Sequence, residues 1–323
     1  MIIQKDLNGK VLGEFKSKAE AARAIGIDES AIRKSIKFGR KVFKKFRYYV
    51  SNSIYEKESN VTNQNKSKAK ILIIDIETAP IRAYTWGLWQ QNIYLDQIIS
   101  NWFMLTWSAK WLGNSIVMSD GLSGTEVLEE DDSRILKTLW KLMDEADVVV
   151  AHNGNSFDIP KINSRFLVNG LNPPSPYKQI DTKIIAKNQF GFSSNKLEAL
   201  ARLFGFEGKY DTDFNLWARC MKGDDDALDY MEYYNCQDVT VLEQIYLKLR
   251  PFSKGHPNLD LYTDDVEPSC PHCGSKHIEL IKDKFFYTQA VKYETYRCEC
   301  GAISRSKTGL KFDNKKRISS IPK

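Results

Sequence analysis

Asp75 and Glu77 interrupt an otherwise apolar segment, Ile71-Leu-Ile-Ile-Asp-Ile-Glu-Thr78. Side chains of a strand alternate between its faces, so both carboxylates point the same way at the end of a buried strand. The pattern recurs twice. Asp158 closes His152-Asn-Gly-Asn-Ser-Phe-Asp158 between the apolar residues Phe157 and Ile159. Asp238 breaks the stripe Leu228, Met231, Asn235, Leu242, Ile245, Leu249 of a helix expected over 224–249, with Tyr234 one turn before it on the same face. Burying an unpaired carboxylate is expensive, so a fold that gathers four of them calls for cations. Hard oxygen ligands suit Mg²⁺ or Mn²⁺, and a pair of such ions suits phosphodiester hydrolysis.

With 323 residues, 42% of them hydrophobic, the chain has material for two or three folded domains. No apolar run approaches the ~20 residues of a bilayer span, and no signal-peptide core opens the chain. A cytoplasmic protein is the expectation, in the host cytoplasm if a phage encodes it, with no membrane partner. Charge is unevenly spread. Residues 1–70 hold 17 Lys/Arg against 7 Asp/Glu, residues 71–269 hold 18 against 29, and residues 270–323 hold 12 against 5. An acidic centre with basic flanks suits a metal-dependent domain held on a polyanion by its two ends.

The N-terminal piece, 1–50, reads as a helix-turn-helix-like nucleic-acid-binding module. Two short strands flank Asn8-Gly9, a hairpin signal. Ser17 caps one helix that Gly26 ends, and a second runs from Asp28 or Ser30 to Gly39. Arg33, Lys34 and Lys37 fall on that second helix, where nucleic-acid contacts are made. Residues 51–70, polar throughout, read as a linker. From 71 to 250, strands followed by alternating helices and strands indicate an α/β fold with a mixed sheet flanked by helices. Antiparallel neighbours are expected at 102–111 and 115–119, and further strands at 147–152 and 179–182.

Cys270-Pro-His-Cys273-Gly and Cys298-Glu-Cys300-Gly, 24 residues apart, bracket β-prone segments at 278–281, 284–287 and 294–297. Four thiolates at this spacing fit one structural Zn²⁺ in a ribbon-like module over 265–310, with His272 and His277 as possible substitutes. Its aromatic residues, Phe285, Phe286, Tyr287, Tyr293 and Tyr296, suit either single-stranded nucleic acid or the module's own core.

Taken together, these motifs carry two resemblances. The stretch from 71 to 250 resembles the DEDD superfamily of 3′–5′ exonucleases, which has a ribonuclease-H-like fold. Its tyrosine branch includes polymerase proofreading domains. The first motif matches as Asp75-Ile-Glu77 with Thr78, the second as Asn153-x-x-x-Phe157-Asp158, and the third as Tyr234-x-x-x-Asp238. The sister branch has a histidine at the position of Tyr233. The resemblance implies that Asp75, Glu77, Asp158 and Asp238 bind two divalent ions and that Tyr234 positions the attacking water. It places Thr78, Asn153 and Phe157 on the substrate. Asp181 is either an accessory acid or a helix cap. The N-terminal stretch resembles the nuclease-associated modular DNA-binding domains through its Asn-Gly hairpin, Ser17–Gly26 and Ser30–Lys37.

The resulting expectation is a 3′–5′ exonuclease of replication, repair or proofreading, acting on DNA at single-stranded 3′ ends, with a polymerase or replisome as partner. The alternatives are an exoribonuclease using the same site and a non-catalytic DNA-binding adaptor.

Overall fold

The computed structural model describes residues 2–6, 11–15, 21, 23–24, 46–50, 69–206 and 212–310. Strands β1 (Ile2–Asp6), β2 (Val11–Phe15) and β3 (Phe46–Val50) form an antiparallel sheet in the order β2-β1-β3. The expectations of a turn at Asn8-Gly9, of a helix bearing Arg33, Lys34 and Lys37, and of a linker over 51–70 fall, up to residue 68, outside the described residues.

The central region is organised on one strand. β4 (Ile71–Thr78) is followed by the short pair β5 (Arg82–Ala83) and β6 (Ile98–Ser100), then by β7 (Met104–Trp111) and β8 (Met118–Gly121). Helices α1 (Gly124–Glu129) and α2 (Ser133–Glu145) lead to β9 (Val148–Ala151). Helix α3 (Asp158–Val168), β10 (Lys178–Asp181), α4 (Thr182–Gln189), α5 (Leu197–Phe204), α6 (Phe214–Cys220) and α7 (Asp225–Leu249) complete it. The sheet order is β10-β9-β4-β7-β8. β9 runs parallel to both β4 and β10, while β7 runs antiparallel to β4 and to β8. This is the mixed, helix-flanked sheet expected from the sequence, with β8 starting at Met118 rather than at 115.

Because both faces of β4 are covered, its residues are apolar in an unbroken run at the start. Leu72, Ile74 and Ile76 enter one cluster, with Leu136, Leu139, Ile162 and Met231. Ile71 and Ile73 enter the other, with Val148, Val150, Val239, Leu242 and Ile245. Asp75 and Glu77 continue the row of Ile71 and Ile73, so the apolar face of the strand turns acidic at its end. Helix α7 packs on β4, β7 and β8, and Asp224 caps it by accepting from the Ala227 amide.

The sequence pattern also predicts a helix through Ile135, Leu139 and Met143 and others near 158–168, 196–204 and 213–221, all present, while two further helices escape the sequence reading. Helix α1 is six residues held by a capping box, with Ser123 and Glu126 bonded reciprocally. Helix α4 follows β10 without a break, and Asp181, the last residue of the strand, caps it. Between β4 and β7 an aromatic segment projects, with Trp86 97% and Trp89 84% exposed. Among the described residues no helix is long and apolar enough to cross a membrane.

The C-terminal sheet is β11 (Ile278–Tyr287), β12 (Lys292–Cys298) and β13 (Ile303–Arg305), antiparallel in that order. The two segments expected at 278–281 and 284–287 belong to one strand. It is broken by a register shift between Leu280 and Phe285, where Asp283 adopts a φ of 59°.

Lys110 on β7 and Glu243 on α7 form an ion pair with side chains only 10% and 11% exposed, and Glu243 also accepts from the Gly113 amide at 2.8 Å. Glu243→Leu strands the ammonium, and the expected loss is ~3–5 kcal/mol in urea unfolding. Lys110→Met combined with Glu243→Leu should recover most of it. An additive double variant would show that the pair is not coupled.

Candidate active site

Two elements bring the site together. Asp75 and Glu77 sit on the last turn of β4's pleat, opposite Ser108 and Thr106 of β7. Helix α7 crosses the same face and presents Asp238. One carboxylate oxygen each of Asp75, Glu77 and Asp238 lies within 4.8 Å of the other two. Asn235, one turn before Asp238 and fully buried, donates from Nδ2 to Asp75 Oδ2 at 2.6 Å. Asp158 opens α3 and is buried, with its Oδ1 lacking any hydrogen-bond partner. Its charge reaches both Asp75 and Glu77.

Burial and mutual repulsion act on these groups in the same direction. Burial, then the charges of Asp158, Asp238 and Glu77, hold the Asp75 carboxyl well above the ordinary carboxylate range, against the lowering bond from Asn235. Burial, with Asp238 and Asp158 beside it, pushes Glu77 up to about 8. Burial lifts Asp158 to about 7, opposed by backbone hydrogen bonds from its own amide and that of Ile76. Burial lifts Asp238 to about 6, opposed by its hydrogen bond with Tyr234. Tyr234 is itself driven far above its usual value, by burial first and then by Asp238, so it stays protonated.

The segment before Asp158 is shaped by backbone constraints. Asn153 takes a φ of 70°, which asparagine tolerates better than most residues. At Gly154 a Cβ would come within 2.5 Å of Ala151 Cβ. Asp181 holds this turn, accepting from the Asn153 amide at 3.0 Å and the Asn155 amide at 3.1 Å while capping α4 through the amides of Lys183 and Ile184. Of the two roles open for Asp181, these bonds occupy it as a cap and a clamp. The Asn153 side chain accepts from Lys183 Nζ at 3.2 Å. His152 is satisfied at both ring nitrogens: Nε2 lies 2.9 Å from the Asn195 carbonyl, which makes it the donor, and Nδ1 lies 2.8 Å from Thr182 Oγ1. Thr78 and Phe157 are half-buried, close in sequence to Glu77 and Asp158. The Lys161 ammonium lies 5.1 Å from the Phe157 ring centre and 3.8 Å from that of Trp102.

Asn235 and the Lys161–Trp102 contact are the neighbours of the site that sequence reasoning missed. Asn235 left a signal, a buried amide in the same apolar stripe as Asp238. The contact left none, because its partners come from separate elements.

A second cluster lies in the C-terminal module. Cys270, Cys273, Cys298 and Cys300 place their sulfurs within 4.8 Å of one another. The Cys270–Cys300 and Cys273–Cys298 separations are 3.9 and 3.5 Å. A disulfide needs about 2.05 Å, whereas a tetrahedron of thiolates ~2.3 Å from a central ion spaces its sulfurs ~3.8 Å apart. Gly274 and Gly301, with φ of 71° and 89°, follow the two cysteine pairs and supply the left-handed turns. The sulfur set is complete without histidine. His272 instead reaches the Ser253 carbonyl at 3.1 Å and lies against His256, which accepts from the Tyr246 hydroxyl on α7 at 2.8 Å.

With this geometry in view, comparison with known proteins gives a consistent outline. Residues 120–250 match the RNase H superfamily, and residues 2–36 match the NUMOD1 domain. A DNA polymerase III of the PolC type from Ureaplasma parvum serovar 3 is 30% identical over 174 residues, 48% of this chain. The chain spans only 11% of that polymerase's length. Among solved structures, the family B DNA polymerase from Pyrobaculum calidifontis aligns with 57% of this chain and 26% of its own, at 16% identity and a TM-score of 0.38. The mixed, helix-flanked sheet agrees with the superfamily match: the fold is ribonuclease-H-like, with the match itself covering residues 120–250.

Proposed function

We propose that the chain is a metal-dependent 3′–5′ exonuclease of the tyrosine branch of the DEDD superfamily, hydrolysing DNA from single-stranded 3′ ends. Domain bounds follow the sequence: a DNA-binding module at 1–50, a linker at 51–70, the exonuclease domain at 71–250 and a zinc ribbon at 265–310. The observation that carries this reading is the gathering of Asp75, Glu77 and Asp238 within 4.8 Å, with the partnerless oxygen of Asp158 charge-coupled to them. Such a set fits hard divalent cations, since only positive charge relieves it without dismantling the fold. Asp75, Glu77, Asp158 and Asp238 would hold two Mg²⁺ or Mn²⁺ ions. Bound there, the ions supply an activated water and offset charge on the phosphate.

The chain's own residues do the rest. Tyr234 keeps its proton and is hydrogen-bonded to Asp238, so it orients the attacking water rather than deprotonating it. Asn235 holds Asp75 in one rotamer by its 2.6 Å bond. Phe157 and Thr78 border the acids and offer a ring and a hydroxyl to the terminal nucleotide, while Asn153 shapes the approach. Arg33, Lys34 and Lys37 would grip DNA in the N-terminal module, a role supported by its NUMOD1 match. The four cysteines would hold one structural Zn²⁺. DNA as the polymer, and a polymerase or replisome as partner, are supported by the name of the PolC-type relative.

Time courses on 5′-labelled single-stranded DNA and RNA of matching sequence test the reading. A metal-dependent ladder shortening from the 3′ end is expected on DNA. Asp75→Ala should lower the rate by roughly 10³-fold or more while leaving DNA affinity intact. Tyr234→Phe should lower kcat by roughly 10²-fold with KM unchanged. A ladder on RNA alone would make the enzyme an exoribonuclease, and tight binding without cleavage would make it an adaptor.

Stability should follow the same acids. Their folded pKa values lie above those of the unfolded chain, so their contribution is full below about pH 4. It is lost as pH rises through the values near 6, 7 and 8 of Asp238, Asp158 and Glu77. Without divalent ions Tm should therefore fall from pH 5 to pH 8, and Mn²⁺ should raise it most at the upper end. A metal response equal at both ends would disconnect the ions from these carboxylates.

A further inference from the structure

Beyond the ribonuclease-H-like domain, the C-terminal sheet keeps aromatic and basic residues on its surface. Pairing across the strands puts Phe286 opposite Tyr293 and Thr295 opposite Arg305, and residues paired this way share a face. Only Thr295 of the four is buried. Phe286 is 48% exposed, which removes it from any core. The Arg305 guanidinium lies 4.1 Å from the Tyr293 ring centre and 5.4 Å from that of Phe286. Its NH1 donates to the Ser306 carbonyl at 3.1 Å, which fixes the orientation of an otherwise exposed side chain.

This face forms one wall of a groove of ≈ 810 Å³ whose other wall is the segment from Asn258 to Leu261 and Pro268 to His272. Lys307 lines the groove beside Arg305. The chain there is held against β12: the Ser306 amide donates to Glu294 O at 3.0 Å and the Leu310 amide to Lys292 O at 2.8 Å. The acid in the lining, Asp260, is occupied, since its Oδ1 accepts from both the amide and the hydroxyl of Ser269.

We propose that this face is a second binding surface, for single-stranded polynucleotide, in which bases stack on Phe286 and the Arg305–Tyr293 layer while Arg305 and Lys307 neutralise phosphates. A guanidinium lying on a ring presents a flat, weakly hydrated cation to a base, and stacking accepts any base. Basic charge alone would suit an acidic peptide equally, but a peptide leaves the exposed ring without a role. The surface does not depend on hydrolysis at the acidic cluster, and it binds whether or not that cluster cuts.

Fluorescein-labelled oligothymidylate, titrated into the full chain with no divalent metal added, separates the two contributions. Phe286→Ala should weaken binding about tenfold with the salt dependence unchanged. Arg305→Ala should weaken it and also lower the slope of log K against log salt by about 0.7. Thiol reactivity of the four cysteines, unchanged in both variants, controls for an intact module. Oligouridylate of the same length should bind comparably, since neither stacking nor phosphate contact reads the sugar. Bromodeoxyuridine crosslinks should map to the segment from Phe286 to Arg305. Unchanged affinity in both variants, or crosslinks confined to residues before 250, overturns the proposal. So does a Phe286→Ala loss that vanishes at high salt, which would remove base stacking from the surface.

Discussion

Three carboxylate oxygens within 4.8 Å of one another set the terms for the fold around them. Repulsion at that range is strong in a buried setting, and the hydrogen bonds of Asn235 to Asp75 and of Tyr234 to Asp238 oppose it in part. What holds them is the apolar surroundings. The Ile71–Ile73 row of β4 is locked to Val239, Leu242 and Ile245 of α7 in one cluster, and Leu72, Ile74 and Ile76 are locked into the other. The strand and the helix cannot separate to relieve the acids without exposing both clusters. The strain of the site is thus carried by packing outside it.

The chain also keeps two chemically different side-chain clusters apart, each able to hold a metal ion. The carboxylates on β4 and α7 would suit hard ions, and the four sulfurs of the C-terminal module would suit softer ones. The two sets are joined through one helix. Tyr246, buried on α7 two turns beyond Asp238, bonds to His256, and His256 lies against His272 between the first two cysteines. The module therefore buttresses the far end of the helix that carries the site's last acid.

Much of this was legible because the acids violate their surroundings. Asp75, Glu77, Asp158 and Asp238 each break an apolar pattern, and a broken pattern is visible in one dimension. The strands and the long helix follow from apolar runs and stripes that are otherwise regular. Helices α1 and α4 were not legible: α1 is six residues closed by a capping box, and α4 continues straight from β10, so no break in the sequence separates strand from helix. Asp181 shows the limit most clearly. Its sequence context permits both an accessory acid and a cap; its four backbone partners, two of them from the turn 153–155, make it a cap, and its charge also bears on Asp158. The exposed ring of Phe286 is a similar case, since alternation along a strand tells which face a residue takes but not what covers that face.

The bond between Asn235 and Asp75 spans 160 residues of chain. Before α7 has been synthesised, β4 carries its two carboxylates with no partner helix, and the other acids are scattered or not yet made. Domain assembly from the N-terminus cannot complete the cluster early. The site comes into being only when the last helix of the domain docks, so a growing chain on the ribosome, surrounded by nucleic acid, carries the parts of the centre without the centre itself.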